Sequence, residues 1–398
     1  MSALFNSKTA LCALAVVGIW GTHGRSGADG STALISEALD SPTPYILPGT
    51  QSALAESFTG LKPVDYILRL LVLFWWETVD GSHPATSAVG LYFLGQLLPC
   101  LVIIYFNGLR GDKPSVIKST LWLLLFQAGA VGATGFIWAL AYTIRSPTAQ
   151  AGVSLEALQN VSIISKLAYL QVLLPALVLG YILPAFIMGL PGSSAMATPA
   201  LVSDTFKQYA IVAWNVFPLI VLVFLHLLCP FAITKTNTLI NQKKATPKSN
   251  RAHLRIIRVT TLLTLVISAS SHLIISGLSL TTLIFPSIFD PAYINELAPS
   301  QIFLPPVSPA PKALTPGDGT RGFLLWDQVV GYSTVLVVVF LEVRCALNAV
   351  QAAGPGKNVT LSPWLVGAVG LGLTLVLGPG SALLVGSWVR DEILFGDW

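Results

Sequence analysis

The chain has 398 residues, of which 22 are basic and 18 acidic, giving a net charge of +4; charged residues make up 10% and hydrophobic ones 54%. A soluble globular protein carries about 25% charged residues, and the mean hydropathy here is +0.73. These figures exclude a disordered chain, a collagen, a coiled coil, a secreted disulfide scaffold and a nucleic-acid binder recruited by bulk charge. They leave an all-α polytopic transmembrane helical bundle.

The first apolar run, 9–20, follows Lys8 and is too short to be an ordinary span. It has the shape of a signal-peptide h-region or of a short first span; no clear A-x-A cleavage site follows it, so residues 1–62 read as a signal-anchor-like segment with a lumenal loop. Residues 63–398 read as a single transmembrane bundle. Stretches near the roughly 20 residues needed to cross hydrocarbon fall at 64–80, 85–106, 119–143, 162–190, 207–234, 259–285, 323–350 and 361–388. The expected count is therefore eight or nine spans.

Two connections orient the chain. Residues 235–258 hold Lys235, Lys243, Lys244, Lys248, Arg251, Arg255 and Arg258 without an acid, and the positive-inside rule places them in the cytoplasm. Residues 286–322 are rich in proline and read as an irregular lumenal loop. Counting outward puts 21–62 and Trp398 in the lumen, and 81–84, 144–161 and 351–360 in the cytoplasm. The loop 107–118, with Arg110, Lys113 and Lys118 against Asp112, conflicts with that count; a re-entrant segment nearby removes the conflict. The sequons at Asn160 and Asn358 fall on the cytoplasmic side and are expected to be unmodified. The four cysteines are scattered in or beside apolar runs without a C-x-x-C pair, as small packing residues are. No metal site is indicated.

Ionisable groups at bilayer depth cost at least about 2.5 kcal/mol each by insertion scales and are candidate functional residues. The segment from Phe74 to Pro84 concentrates them. Glu77 and Asp80 stand three apart, on one helix face, and His83 follows across a Gly-Ser turn. Two neighbouring carboxyls do not both ionise easily, so one keeps its proton at neutral pH, as a general acid must. Glu342, deep in 323–350, is the expected base from a distant span and is counted to the same end of the bundle as Asp80. Asp327 reads as a structural ion-pair partner of Arg69. His226 and His272 rank second. The chain has no aspartate-rich magnesium motif, G-x-S-x-G elbow, H-E-x-x-H or P-loop, which argues against the chemistries those motifs serve.

At Val79-Asp80-Gly81-Ser82-His83-Pro84, then Phe93-Leu94-Gly95-Gln96 and Gly108-Leu109-Arg110, the sequence resembles a fungal family of membrane-bound cyclases. That family is typified by the ascofuranone-pathway terpene cyclase, with epoxide hydrolases of the aurovertin and citreoviridin pathways grouped beside it. The stretch covers about residues 72–110. Asn107 stands where the family often has an acid, so any role of that acid falls here to another residue. The resemblance implies opening of an epoxide on a lipophilic polyketide or meroterpenoid, without metal or organic cofactor, in the endoplasmic reticulum membrane. An acid protonates the oxygen, and water, an alkene or a hydroxyl traps the cation. Asp80, Glu77, His83 and Glu342 are the catalytic candidates. Trp75, Trp76, Tyr92, Phe93 and Gln96 are the substrate-binding candidates. The expected partners are this lipophilic substrate and membrane lipid. A transporter or exporter of such a metabolite is the alternative reading.

Overall fold

A computed structural model describes residues 7–111, 113–164, 166–193, 199–232, 247–354 and 362–396. Lys235, Lys243, Lys244, the Asn358 sequon and Trp398 lie outside the described residues. The described chain is helical, with two isolated bridges, Ile46 with Ala53 and Arg110 with Ile164. The principal helices are α1 (Ser7–Ile19), α2 (Ser31–Asp40), α3 (Lys62–Val79), α4 (Pro84–Leu109), α5 (Val116–Gly129), α6 (Val131–Arg145), α7 (Leu167–Met188), α8 (Asp204–Asn215), α9 (Phe217–Leu228), α10 (Pro247–Ile284), α11 (Pro316–Ala352), α12 (Pro363–Leu377) and α13 (Pro379–Phe395).

Local chemistry sets many of these boundaries. Proline, whose missing N–H costs nothing in a first turn, stands at the start of α4, α11 and α13. The Thr315 hydroxyl accepts from the Asp318 N–H, and the Asp318 carboxyl accepts in return from the Thr315 N–H at 3.3 Å. That capping box launches the longest buried helix, α11.

Among the described residues four helices, α4, α7, α10 and α11, are long and apolar enough to cross a membrane; the pair α8 and α9, bent by 73°, makes a fifth. The expected eight or nine is too many, for three separate reasons. The run 119–143 breaks at Ala130, whose φ of 66° ends α5. The run 361–388 breaks at Gly378, with φ 91°. Helix α3 is amphipathic, carrying Lys62, Asp65, Arg69 and Glu77. Hydropathy averages over breaks of a single residue and so cannot see them. The outside of the bundle is apolar, with Val266, Ile274, Leu283 and Leu371 all exposed.

Contacts between helices define two ends. At one, Glu77 meets the Gly317 N–H at 2.6 Å, Lys207 donates to the Val79 carbonyl at 2.6 Å and Ser52 donates to Asp204. At the other, Arg110 pairs with Asp391 at 2.6 Å and Arg258 with Glu392 at 2.6 Å, while Gln159 donates to the Leu394 carbonyl. The sequence count put 81–84 opposite the proline-rich loop; the Glu77–Gly317 contact puts them together. It also put 107–118 opposite the basic segment, and the Arg110 and Arg258 contacts to α13 put them together. The cause is the fold-back at Ala130. Helix α5 starts beside Arg110, with the Ser115 N–H on the Gly108 carbonyl. Helix α6 ends back at that same level, where Tyr142 donates to Glu342. The two helices form a hairpin dipping into the bundle.

Candidate active site

The tip of this hairpin is held by a carboxylate. The first turn of α6 has free backbone donors, as every helix N-terminus does, and Asp327 of α11 accepts from the Gly132 N–H at 2.5 Å. On the other side of the tip, the His23 ring lies 3.1 Å from the Gly129 carbonyl through Nε2. The backbones approach closely here: a Cβ on Gly18 would run into the Gly132 carbonyl.

Beside the tip opens a cavity of about 330 Å³. Its walls hold six aromatic rings, Phe74, Trp75, Phe93, Phe126, Trp214 and Phe323, and Asp327, His23 and Asn215 are among its polar lining. The rings brace one another: Trp75 meets Trp214 at 4.7 Å between centroids, Phe74 meets Phe323 at 5.1 Å and Trp75 meets Phe93 at 6.1 Å. Each ring presents a negative π-face, which attracts a cation within about 6 Å.

The sequence-predicted triad forms next to this cavity without lining it. Glu77 accepts from the Gly317 N–H through Oε2, and its Oε1 lies 2.9 Å from His83 Nε2. Asp80 Oδ1 accepts from the Ser82 N–H at 2.8 Å and the Ser82 hydroxyl at 2.7 Å, while Oδ2 is buried without a partner among the described residues. Burial pushes the Asp80 carboxyl above the usual range, and the Glu77 charge adds to it. The hydrogen bond to Glu77 raises His83. Gly317, which Glu77 holds, adjoins Pro316, one of the lining residues.

Glu342 lies elsewhere. It stands 25 residues beyond Gly317 on α11, roughly 37 Å of helical rise, where it accepts from Tyr142 and, at 3.2 Å, from Thr148. It therefore cannot reach an atom that Asp80 touches, contrary to the expectation from sequence. Nor does Asp327 pair with Arg69: among the described residues its partner is the backbone of α6.

Of the substrate-binding candidates, Trp75 and Phe93 line the aromatic cavity. Trp76 is fully buried beside it, donating to the Pro48 carbonyl at 3.1 Å. Tyr92 lines a second cavity of about 530 Å³, where its hydroxyl lies 3.0 Å from His272 Nδ1. Gln96 is occupied by the fold: it donates to the Ser268 carbonyl at 2.7 Å and accepts from the Gly380 N–H at 2.9 Å. His226 sits on an exposed face, bonded to the Leu222 carbonyl at 2.8 Å. Sequence reasoning missed His23, Phe74, Phe126, Trp214 and Phe323 as lining residues. Only a histidine in a glycine-flanked apolar helix could have flagged the first, and nothing local marks the rings.

A family model for the CtvD domain matches residues 7–395. The chain belongs to the CtvD family. Terpene cyclase ascI of Acremonium egyptiacum is 24% identical over 394 residues, covering 98% of this chain and 92% of that protein. Terpene cyclase janA of Penicillium janthinellum is 26% identical over 231 residues, 56% of this chain and 60% of that protein. Terpene cyclase ctvD of Aspergillus terreus is 29% identical over 181 residues, 44% and 47% of the two chains. No solved structure matches the chain.

Proposed function

We propose that the protein is a membrane-embedded cyclase of fungal secondary metabolism that opens an epoxide on a lipophilic polyketide or meroterpenoid. The reading rests chiefly on one observation: the Asp327 carboxyl lines a cavity walled by six aromatic rings. Membership of a family whose named relatives are terpene cyclases supports it, as do the long apolar helices. We place the protein in the endoplasmic reticulum membrane, with the Arg110 end facing the cytoplasm by the positive-inside rule.

The chemistry follows from the site. Protonated Asp327 gives its proton to the epoxide oxygen, the C–O bond breaks and the oxygen leaves as a hydroxyl. The cationic carbon then faces Phe74, Trp75, Phe93 and Trp214, whose π-faces steady it. An alkene or hydroxyl of the same molecule closes the ring. The carboxylate left at Asp327 is held by the Gly132 N–H, a charge-assisted bond at a helix N-terminus. Glu77, bonded to His83, accepts from the Gly317 N–H and so ties the start of α11 to α3, which keeps the cavity wall in place.

Microsomes carrying the protein, incubated with a prenylated epoxide, test this. Consumption of the epoxide with formation of a cyclised or hydrated product is expected. Asp327→Asn, whose amide oxygen still accepts from Gly132, should lose about 10²–10⁴ in turnover, the usual size of a general-acid effect. Unchanged epoxide accumulating inside sealed vesicles would instead indicate a transporter. A well-expressed Asp327→Asn protein with normal turnover, alongside an inactive Asp80→Asn, would move the acid to the triad.

A further inference from the structure

Opening an epoxide is half of a proton cycle, and the remaining half needs a group able to accept a proton from the cyclised cation. Besides Asp327, the polar residues on the cavity wall are His23, Ser26, Ser31, Thr32, Ser36, Gln127, Asn215 and Thr320. Hydroxyls and amides are poor bases at neutral pH. Among the described lining residues, the His23 imidazole is the group whose chemistry suits the task, histidine being the side chain most often used as a general base.

Its tautomer is set by its neighbour. Nε2 lies 3.1 Å from the Gly129 carbonyl oxygen, which can only accept, so Nε2 carries the hydrogen and Nδ1 keeps its lone pair. The ring is also fixed in orientation, edge-on to Phe323 at 5.4 Å and 80°, and Phe323 is itself a wall ring. The backbone delivering it is unusual: Trp20–Gly24 is a single π-helical turn, a local widening often found at functional positions. The Thr22 hydroxyl donates to the Gly18 carbonyl at 2.6 Å within it.

We propose that His23 is the catalytic base that takes the terminating proton, which makes the net reaction an isomerisation. This rests on the epoxide-opening reading above. The balance is closed without water. Asp327 delivers one proton to the epoxide oxygen; the C–O bond breaks and a C–C or C–O bond forms within the molecule. The neighbouring C–H, or the O–H that has attacked, gives its proton to His23 Nδ1, leaving an alkene or an ether. The imidazolium then keeps its Nε2–H on the Gly129 carbonyl while the Asp327 carboxylate keeps the Gly132 N–H. Both charges are therefore held by the same hairpin tip until the proton returns to Asp327 through solvent.

The test compares wild type, His23→Ala and His23→Gln in microsomes with a prenylated epoxide, reading product mass as well as rate. Wild type should give a product of the substrate's own mass. Both variants should turn over about 10²-fold more slowly or worse, with a larger share of products one water heavier, because the cation lives long enough to be trapped. Glutamine can still donate to Gly129, so His23→Gln separates the loss of a base from the loss of a contact. Imidazole in the buffer should restore part of the His23→Ala rate and the isomeric product. Variants matching wild type in rate and product mass would overturn the assignment alone, as would a wild-type product that is mainly the diol. A wild-type protein that consumes no epoxide would sink the underlying reading and this assignment with it.

Discussion

At Asp327 one carboxyl faces both a helix end and a cavity, and its backbone partner explains how the charge left by its departing proton is tolerated so deep. A buried carboxylate without donors is costly, whereas one on the first turn of a helix is among the better-placed anions a protein can hold. The Glu77–His83 pair, by contrast, is the part of the site legible in the sequence. Its spacing is local, six residues across the turn between α3 and α4, so nearness in the chain brings the groups together. Its protonation has a measurable consequence. His83 has a raised pKa in the fold because it is bonded to Glu77, so its contribution to stability is full below about 6.5, its unfolded value. That contribution is lost as pH rises through the folded value. Asp80 is raised too, by burial, so its part is present below about 3.9 and is lost at higher pH. In detergent the Tm should therefore fall as pH rises above about 6.5, and His83→Gln should flatten that fall. A profile equally steep in the variant would show that another group carries the dependence.

The hairpin of α5 and α6 was hidden from the sequence for a definite reason. Twenty-five mainly apolar residues without a charge, 119–143, look like one crossing, and Ala130 carries no signal of a turn. A non-glycine residue at φ 66° and ψ 143° costs of order 1–3 kcal/mol. Replacing Ala130 by glycine should remove most of that strain while adding about 0.4–1 kcal/mol of unfolded-state entropy. A small net rise in Tm is expected for Ala130→Gly, and a clear loss for Ala130→Val, by thermal unfolding in detergent. The parity conflict at 107–118 did contain the clue, because only a segment that fails to cross could reconcile two basic loops. Gln96 shows the opposite case. A polar residue in an apolar helix looked available for substrate, yet its amide is used where α13 begins, on the Gly380 N–H.

For the molecule as a whole, the contacts at the two ends fix which loops share a side. Single cysteines at Ser82 and Leu314, in a background without reactive thiols, should be labelled from the same face of sealed microsomes. Cysteines at Lys113 and Arg258 should be labelled from the other. Ser82 and Lys113 labelling from one face would undo the assignment. The all-helical class and the apolar envelope were readable from composition, since both are averages over many residues. The cavity was not, because its rings come from α3, α4, α5, α8 and α11, and no local pattern links side chains so far apart in the chain.

Trp75 and Trp214, packed at 4.7 Å and 66°, also make the wall its own optical reporter. Two indoles held so close and skewed couple their excited states and give a paired positive and negative band in circular dichroism. The band depends on the angle between them, and any occupant that pushes either ring alters it. Trp75→Phe should abolish the paired band while leaving the helical signal intact, and a non-reactive analogue of the epoxide should change it in the wild type alone. With ten tryptophans in the chain, the difference spectrum between wild type and Trp75→Phe isolates this pair, so occupancy can be followed without a turnover assay.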